Sequence, residues 1–332
     1  MGNVFSSQHQ PQSIQVAPVS ATGNPFVTQD LQEPFPILAL PPELIDLVST
    51  YLEDSDLLIF RRVCRALNAH STNVFGKRFF WSLEAFLHPI SLTTLFEICR
   101  HPTLAKYVHQ VTVHGDQFQQ QKHKDLQSSV EQSGMDRMLL TEVFKGLANL
   151  TVVAAGILPW NNEPDDGAGI SCARRHLFDT EDLCGPPPDR GFSRVYGLVL
   201  QAIQDANLQD KVDLLFDFWG AATPDEAAGQ TCIDLASSAW KQNFAKRVRG
   251  IALAYNADPD WVRELFSSAT NLYAVNFCGN NFTLQLPSPS VGLHSKASIR
   301  SLELANVFLS HADWIVFLRL HAETLERLTI LP

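Results

Sequence analysis

Between Leu44 and Leu52 the apolar residues Leu44, Ile45, Leu47, Val48, Tyr51 and Leu52 return at the i, i+3, i+4, i+7 spacing of one helix face. Pro41-Pro42 stands just before them, where a proline loses no hydrogen bond because the first helical N–H has no partner anyway. Asp54 or Ser55 is positioned to cap a second helix through a side-chain oxygen, and Leu57, Phe60, Val63, Cys64 and Leu67 stripe that helix. Two helices this short cannot bury so wide an apolar surface on each other. The pattern calls for a third element, a partner chain, or both. Further on, residues 83–104 read as helical, with Leu92, Leu95, Phe96, Ile98 and Cys99 on one face. His101-Pro102 ends that run, since the residue before a proline avoids the helical region.

Beyond residue 105 a different spacing recurs. Val108-x-x-Val111-x-Val113, Leu147-x-x-Leu150-x-Val152, Val248-x-x-Ile251-x-Leu253, Leu272-x-x-Val275-x-Phe277, Ile299-x-x-Leu302-x-Leu304 and Leu325-x-x-Leu328-x-Ile330 share it. The last four begin 24, 27 and 26 residues apart. Each ends in the period of two that marks a half-buried strand, and helical segments such as 261–268 and 311–322 lie between them. Leu214, Phe216 and Phe218 supply one further strand, whose register stays open. Two stretches break the period: 117–134, polar and Gln-rich, and 159–191, with Asp165-Asp166-Gly167 and Pro186-Pro187-Pro188. A connection as long as the second is functional or disordered. The chain stops at Pro332, directly after a strand core. Because a repeat array needs a polar cap for solubility, the array is expected to be clipped there, or closed by a partner or another segment.

The front segment resembles the F-box. The residues that carry the resemblance are Leu40-Pro41-Pro42-Glu43-Leu44, Ile45, Val48, Tyr51-Leu52, Asp56-Leu57 and Phe60-Arg61-Arg62-Val63-Cys64-Arg65, completed by Leu67, Val74-Phe75 and Phe79-Phe80-Trp81. The strand units resemble degenerate leucine-rich repeats; the repeat Asn stands only at Asn256 and Asn280, with Asp116, Ala155 and Val307 at its place elsewhere. The combination is similar to F-box proteins of fungal type. It implies an α+β or α/β chain: a tail over 1–33, a three-helix F-box over 34–82, and a leucine-rich-repeat-like α/β solenoid over 83–332. It further implies a Skp-type adaptor as partner, a cullin joined through it, and a target protein held by the repeats. Leu40, Pro41, Glu43, Leu44, Ile45, Val48, Leu52, Leu57, Val63 and Cys64 are the adaptor-binding residues it implies.

Composition narrows the remaining choices. A net charge of −10 argues against a general nucleic-acid binder, which needs a basic face to displace counterions. Hydrophobic content of 45% suits a folded core, and no run of about 18 apolar residues suggests a membrane span. The six cysteines are scattered without a CxxC pair, the usage of a reducing compartment such as cytosol or nucleus. Residues 1–33, rich in Gln, Ser and Pro, cannot bury enough surface to order themselves. Met1-Gly2-Asn3-Val4-Phe5-Ser6 fits the myristoylation pattern at Gly2, although no lysine follows to strengthen membrane binding beyond a weak tether.

No phosphate loop, G-x-S-x-G elbow or H-E-x-x-H is present, so no cofactor and no catalytic residue is expected. Cys172, His176 and Cys184 lack the paired short spacings of tetrahedral zinc sites, and no metal site is assigned to them. Arg and Trp are common interface anchors. The candidates for holding a target are therefore Trp160, Arg174 and Arg175 in the long loop, and Arg249, Tyr273, Arg300 and Arg327 on the strands.

Overall fold

The computed structural model describes residues 37–115, 121–156, 170–171, 191–218, 233–254, 259–283, 299–308, 315, 318–319 and 321–331. Four short helices lead: α1 (Pro42–Tyr51), α2 (Asp54–Val63), α3 (Arg65–His70) and α4 (Thr72–Phe79). The stripe from Leu57 to Leu67, expected as one helix, is broken at Cys64, whose extended backbone (φ −158°, ψ 167°) separates α2 from α3. Arg61 holds the resulting corner. Its Nη1 donates to the Asn68 carbonyl, Ser71 Oγ and Thr72 Oγ1 at 3.1–3.3 Å, and its guanidinium lies 3.9 Å from the Phe75 ring centre. Burial lowers the Arg61 pKa, an expense offset by those three acceptors and the ring face.

Nine strands follow among the described residues: β1 (Ser82–Phe86), β2 (Gln110–His114), β3 (Val152–Gly156), β4 (Ile170–Ser171), β5 (Asp213–Phe218), β6 (Val248–Ala254), β7 (Ala274–Thr283), β8 (Ser301–Phe308) and β9 (Arg327–Leu331). They form one sheet in the order β4-β1-β2-β3-β5-β6-β7-β8-β9, and every pairing is parallel. Apart from β4, each strand therefore lies beside its predecessor in the chain. Parallel neighbours need a crossover, and α5 (Pro89–Arg100), α6 (Gln121–Ser133), α7 (Met135–Gly146), α8 (Gly191–Asp205) and α9 (Pro259–Ser268) fall in those connections. α7 packs between α5 and α8, and α8 lies against β2 and β3.

The register explains the recurring spacing. Ile251, Val275, Leu302 and Leu328 are cross-strand partners in one row, and Leu253, Phe277, Leu304 and Ile330 form the next. Both rows bury their first three members in the large apolar cluster. On the outermost strand Leu328 and Ile330 remain 42% and 59% exposed. The expected strand at Leu214, Phe216 and Phe218 is β5, joined to β6 with a register shift between Leu214 and Leu215.

Three expectations change. Residues 83–86, read as the start of a helix, belong to β1: Leu83 and Ala85 pair with Val111 and Val113, and Phe80-x-x-Leu83-x-Ala85 repeats the strand spacing with a small third residue that hides it. The unit expected at Leu147 sits three residues later. Val153 and Ala155 face Val111 and Val113, so the buried set is Leu150-x-x-Val153-x-Ala155, and Leu147 belongs to the turn after α7. The larger side chains of Leu147 and Leu150 had drawn the pattern forward. The polar stretch 117–134 carries α6, a helix that buries only Val130 among its described side chains. Most of 159–191 lies outside the described residues, and its Ile170–Ser171 pairs with the free side of β1. The segment read as helical over 311–322 is described at a few positions only.

α4 joins the helical front to the sheet. Phe80 and the partly buried Phe75 and Phe79 pack into the large cluster, and Gly76 lies under the Tyr107 ring. A Cβ at residue 76 would stand 2.2–2.6 Å from that ring. We expect Gly76→Ala to destabilise the chain by about 1–3 kcal/mol, the cost of overpacking a closed contact, despite the better helix propensity of alanine; urea denaturation reads it.

His88 precedes α5 and accepts from the Ile90 N–H through Nδ1 (3.3 Å), while its Nε2 lies 3.2 Å from His123 Nδ1. Burial, reinforced by His123, lowers its pKa to about 4. The unfolded chain takes up that proton below about pH 6.5, whereas the folded chain does not until about pH 4. Stability from this group is thus present at neutral pH and lost as pH falls between those values, by at most about 1.4 kcal/mol per pH unit. His88→Asn keeps a capping oxygen and should flatten that dependence in urea denaturation compared at about pH 7 and about pH 5.

Candidate partner-binding face and a basic hollow

The helical front has a small core of its own. Ile45, Leu57, Leu67 and Val74 are buried, one from each helix, yet lie outside the large cluster. Ser49 is buried with them and spends its hydroxyl on the Ile45 carbonyl at 2.7 Å, leaving no orphan donor. Arg78 closes the α1–α2 corner: Nη2 donates to the Thr50 carbonyl (2.9 Å) and Nη1 reaches the Leu52 carbonyl and Asp54 Oδ1 (3.2 Å). A basic pair, Lys77-Arg78, next to an apolar run gives no sequence signal for such a clamp.

With the interior filled by those residues, the opposite side of α1 is left uncovered. Leu44, Leu47, Val48 and Tyr51 are exposed, and their i, i+3, i+4, i+7 spacing puts them on one face. Tyr51 is 82% exposed. α2 leaves Leu58, Ile59 and Val63 exposed, and Leu38 stands exposed in the 3-10 turn before α1 (Ile37–Ala39). Solvated apolar side chains at this density mark an interaction surface.

Of the ten residues assigned to the adaptor, Pro41, Glu43, Leu44, Val48 and Val63 are exposed, and Leu40, Leu52 and Cys64 are half-buried. Ile45 and Leu57 are 1% and 0% exposed. They belong to the interior, where a partner does not reach them while the helices stay packed. Leu47, Tyr51, Leu58 and Ile59 were not assigned and are exposed. Leu47 and Tyr51 were already visible in the helical stripe; which side of that stripe turns inward is set by packing against α3 and α4.

Across the sheet, Arg249, Tyr273, Arg300 and Arg327 line a single hollow of about 650 Å³ together with Asn271 and Glu326. Arg249 Nε is 3.1 Å from Asp213 Oδ1 and Arg300 Nη1 is 3.4 Å from Glu326 Oε1. Trp160, Arg174, Arg175 and Gly2, and the Cys172, His176 and Cys184 set, lie outside the described residues. Among the described residues no group of three or more His, Cys, Asp or Glu is arranged to hold a metal ion, and no helix is long and apolar enough to cross a membrane.

The family model for the F-box domain matches residues 37–78, the span from the 3-10 turn to the Arg78 clamp. No curated protein matches the chain.

Interior and surface positions of the matched segment should separate in a stability series. Ile45→Ala and Leu57→Ala are expected to cost about 2–5 kcal/mol, as large-to-small changes in a core do. Tyr51→Ala and Val63→Ala should stay within about 0.5 kcal/mol, as solvent-facing changes do. Urea denaturation of the four single variants provides the comparison.

Proposed function

Because this chain is an F-box protein, we propose that it is the target-recognising subunit of a Skp–cullin–F-box ubiquitin ligase. F-box domains bind Skp-type adaptors and through them a cullin, and F-box proteins are in general non-catalytic adaptors. The observation that carries the reading is the uncovered apolar stripe Leu44, Leu47, Val48 and Tyr51 within the matched segment. In this reading the stripe, flanked by Leu40, Pro41 and Val63, meets the adaptor, and the sheet domain captures the target. Nothing need be catalysed on this chain. Holding a target lysine beside an activated ubiquitin turns a bimolecular transfer into an effectively unimolecular one.

The sheet domain is read as leucine-rich-repeat-like. Three features favour this: successive parallel strands beside one another, buried rows in common register, and the 24–27-residue period expected of such units. Arrays of this kind offer an extended strand-lined face for a protein partner.

Two measurements test the proposal. Replacing Leu40 and Pro41 together by Ala, or Leu47 and Tyr51 together, should weaken adaptor affinity about ten- to a hundredfold, or ~1.4–2.7 kcal/mol, with the fold retained; undiminished adaptor co-purification would overturn the assignment. Cullin should co-purify with the adaptor. Adaptor recovered without cullin would instead make this chain an F-box scaffold outside a ligase.

A further inference from the structure

The hollow beside β6–β9 concentrates positive charge on a chain whose net charge is −10. Its residues are brought there by the strand ladder. The N–H of Tyr273 donates to the Arg249 carbonyl, that of Arg300 to the Tyr273 carbonyl and that of Glu326 to the Arg300 carbonyl, at 2.8–2.9 Å. One position further along, Ser301 pairs with Arg327. Neighbouring strands are about 4.8 Å apart, so three guanidinium groups, from β6, from the residue before β8 and from β9, share one open space. Like charges on adjacent strands repel, and folding alone gives no reason to gather them.

The internal counter-charges are partial. Arg249 is held by Asp213 (3.1 Å) and donates to the Asn271 carbonyl (3.4 Å). The Arg300–Glu326 pair is more than half exposed on both sides, and a pair so solvated contributes little. Arg327 has no carboxylate partner among the described residues. A volume of about 650 Å³ accommodates a side chain and its neighbours, and the guanidinium fork matches carboxylate and phosphate oxygens in pairs.

We infer that this hollow is an anion site, taking an acidic side chain of the captured protein, with Arg300 and Arg327 as its ligating groups and Arg249 fixed behind them. The inference rests on the target-recognising role proposed above. Glu326 acts as an internal occupant of Arg300 that the incoming anion displaces. A glutamate and a phosphorylated residue present the same oxygens to this site, and the assay separates them.

The test uses the full chain and three fluorescein-labelled peptides: poly-glutamate, its phosphoserine counterpart and its glutamine counterpart, with anisotropy as the readout. The two acidic peptides should bind more tightly than the glutamine peptide, and the difference should shrink as salt is raised. Tighter binding of the phosphoserine peptide identifies phosphate as the anion; equal or weaker binding identifies carboxylate. Arg300→Glu with Arg327→Glu should cost at least about tenfold in affinity for the preferred peptide. Glu326→Gln, which frees Arg300, should strengthen binding. Equal binding of acidic and neutral peptides overturns the inference, as does an affinity unmoved by both variants. Adaptor and cullin recovery from the same preparations reports separately on the ligase reading: its loss with anion binding intact overturns that reading alone.

Discussion

The seat of the Tyr107 ring on Gly76 decides how the two halves of this protein relate. α4 belongs to both. Through Val74 it closes the small core of the helical front, and through Phe75, Phe79 and Phe80 it enters the large cluster behind the sheet. Only a residue without a Cβ lets the ring approach the helix so closely. The Tyr107 hydroxyl adds a contact to Asn73 Oδ1 at 3.5 Å. A shared helix fixed by close packing transmits position, because packed interiors do not deform continuously. The α1 stripe and the sheet are thereby held at a set separation, which the proposed adaptor role requires.

The sheet extends that rigidity across the chain. Strands β2, β3 and β5 to β8 each have a hydrogen-bonded neighbour on both sides, β1 has its second neighbour only at Leu83 and Glu84, and residues at the strand starts continue the ladder. The N–H of His109 donates to the Trp81 carbonyl, that of Thr151 to the His109 carbonyl and that of Asp213 to the Thr151 carbonyl. The row running on through Arg249, Tyr273 and Arg300 is therefore pinned by backbone bonds, while its side chains line the hollow. Trp81, half-exposed and stacked on His109 at 3.9 Å, sits on this rim at the end nearest α4.

Electrostatics divides the molecule further. Acidic residues dominate overall, so three arginines around one hollow form a local exception whose field points outward. The α1 stripe carries apolar side chains instead. The two surfaces have different chemistry, one suited to burying apolar area and one to meeting charge.

Much of this was legible in the sequence because burial leaves a local record. In the units of β6, β7 and β8, each strand names its own buried positions, and the expected rows Ile251–Val275–Leu302 and Leu253–Phe277–Leu304 are the observed ones. The α1 stripe and the start at Pro42 were readable for the same reason. Where the local record is weak, the reading slipped. Ala85 and Ala155 occupy strand-core positions with too little apolar surface to announce them, so β1 was missed and β3 misplaced. Periodicity could not say that Cys64 would adopt an extended backbone and divide a stripe, because Arg61 secures that corner through residues seven to eleven positions away. Nor could it assign sides: Ile45 and Leu44 are adjacent and equally apolar, yet one is core and the other surface. The sequence alone determined which positions are apolar and at what period. Only tertiary packing decided which of them face inward, because that depends on partners far away in the chain.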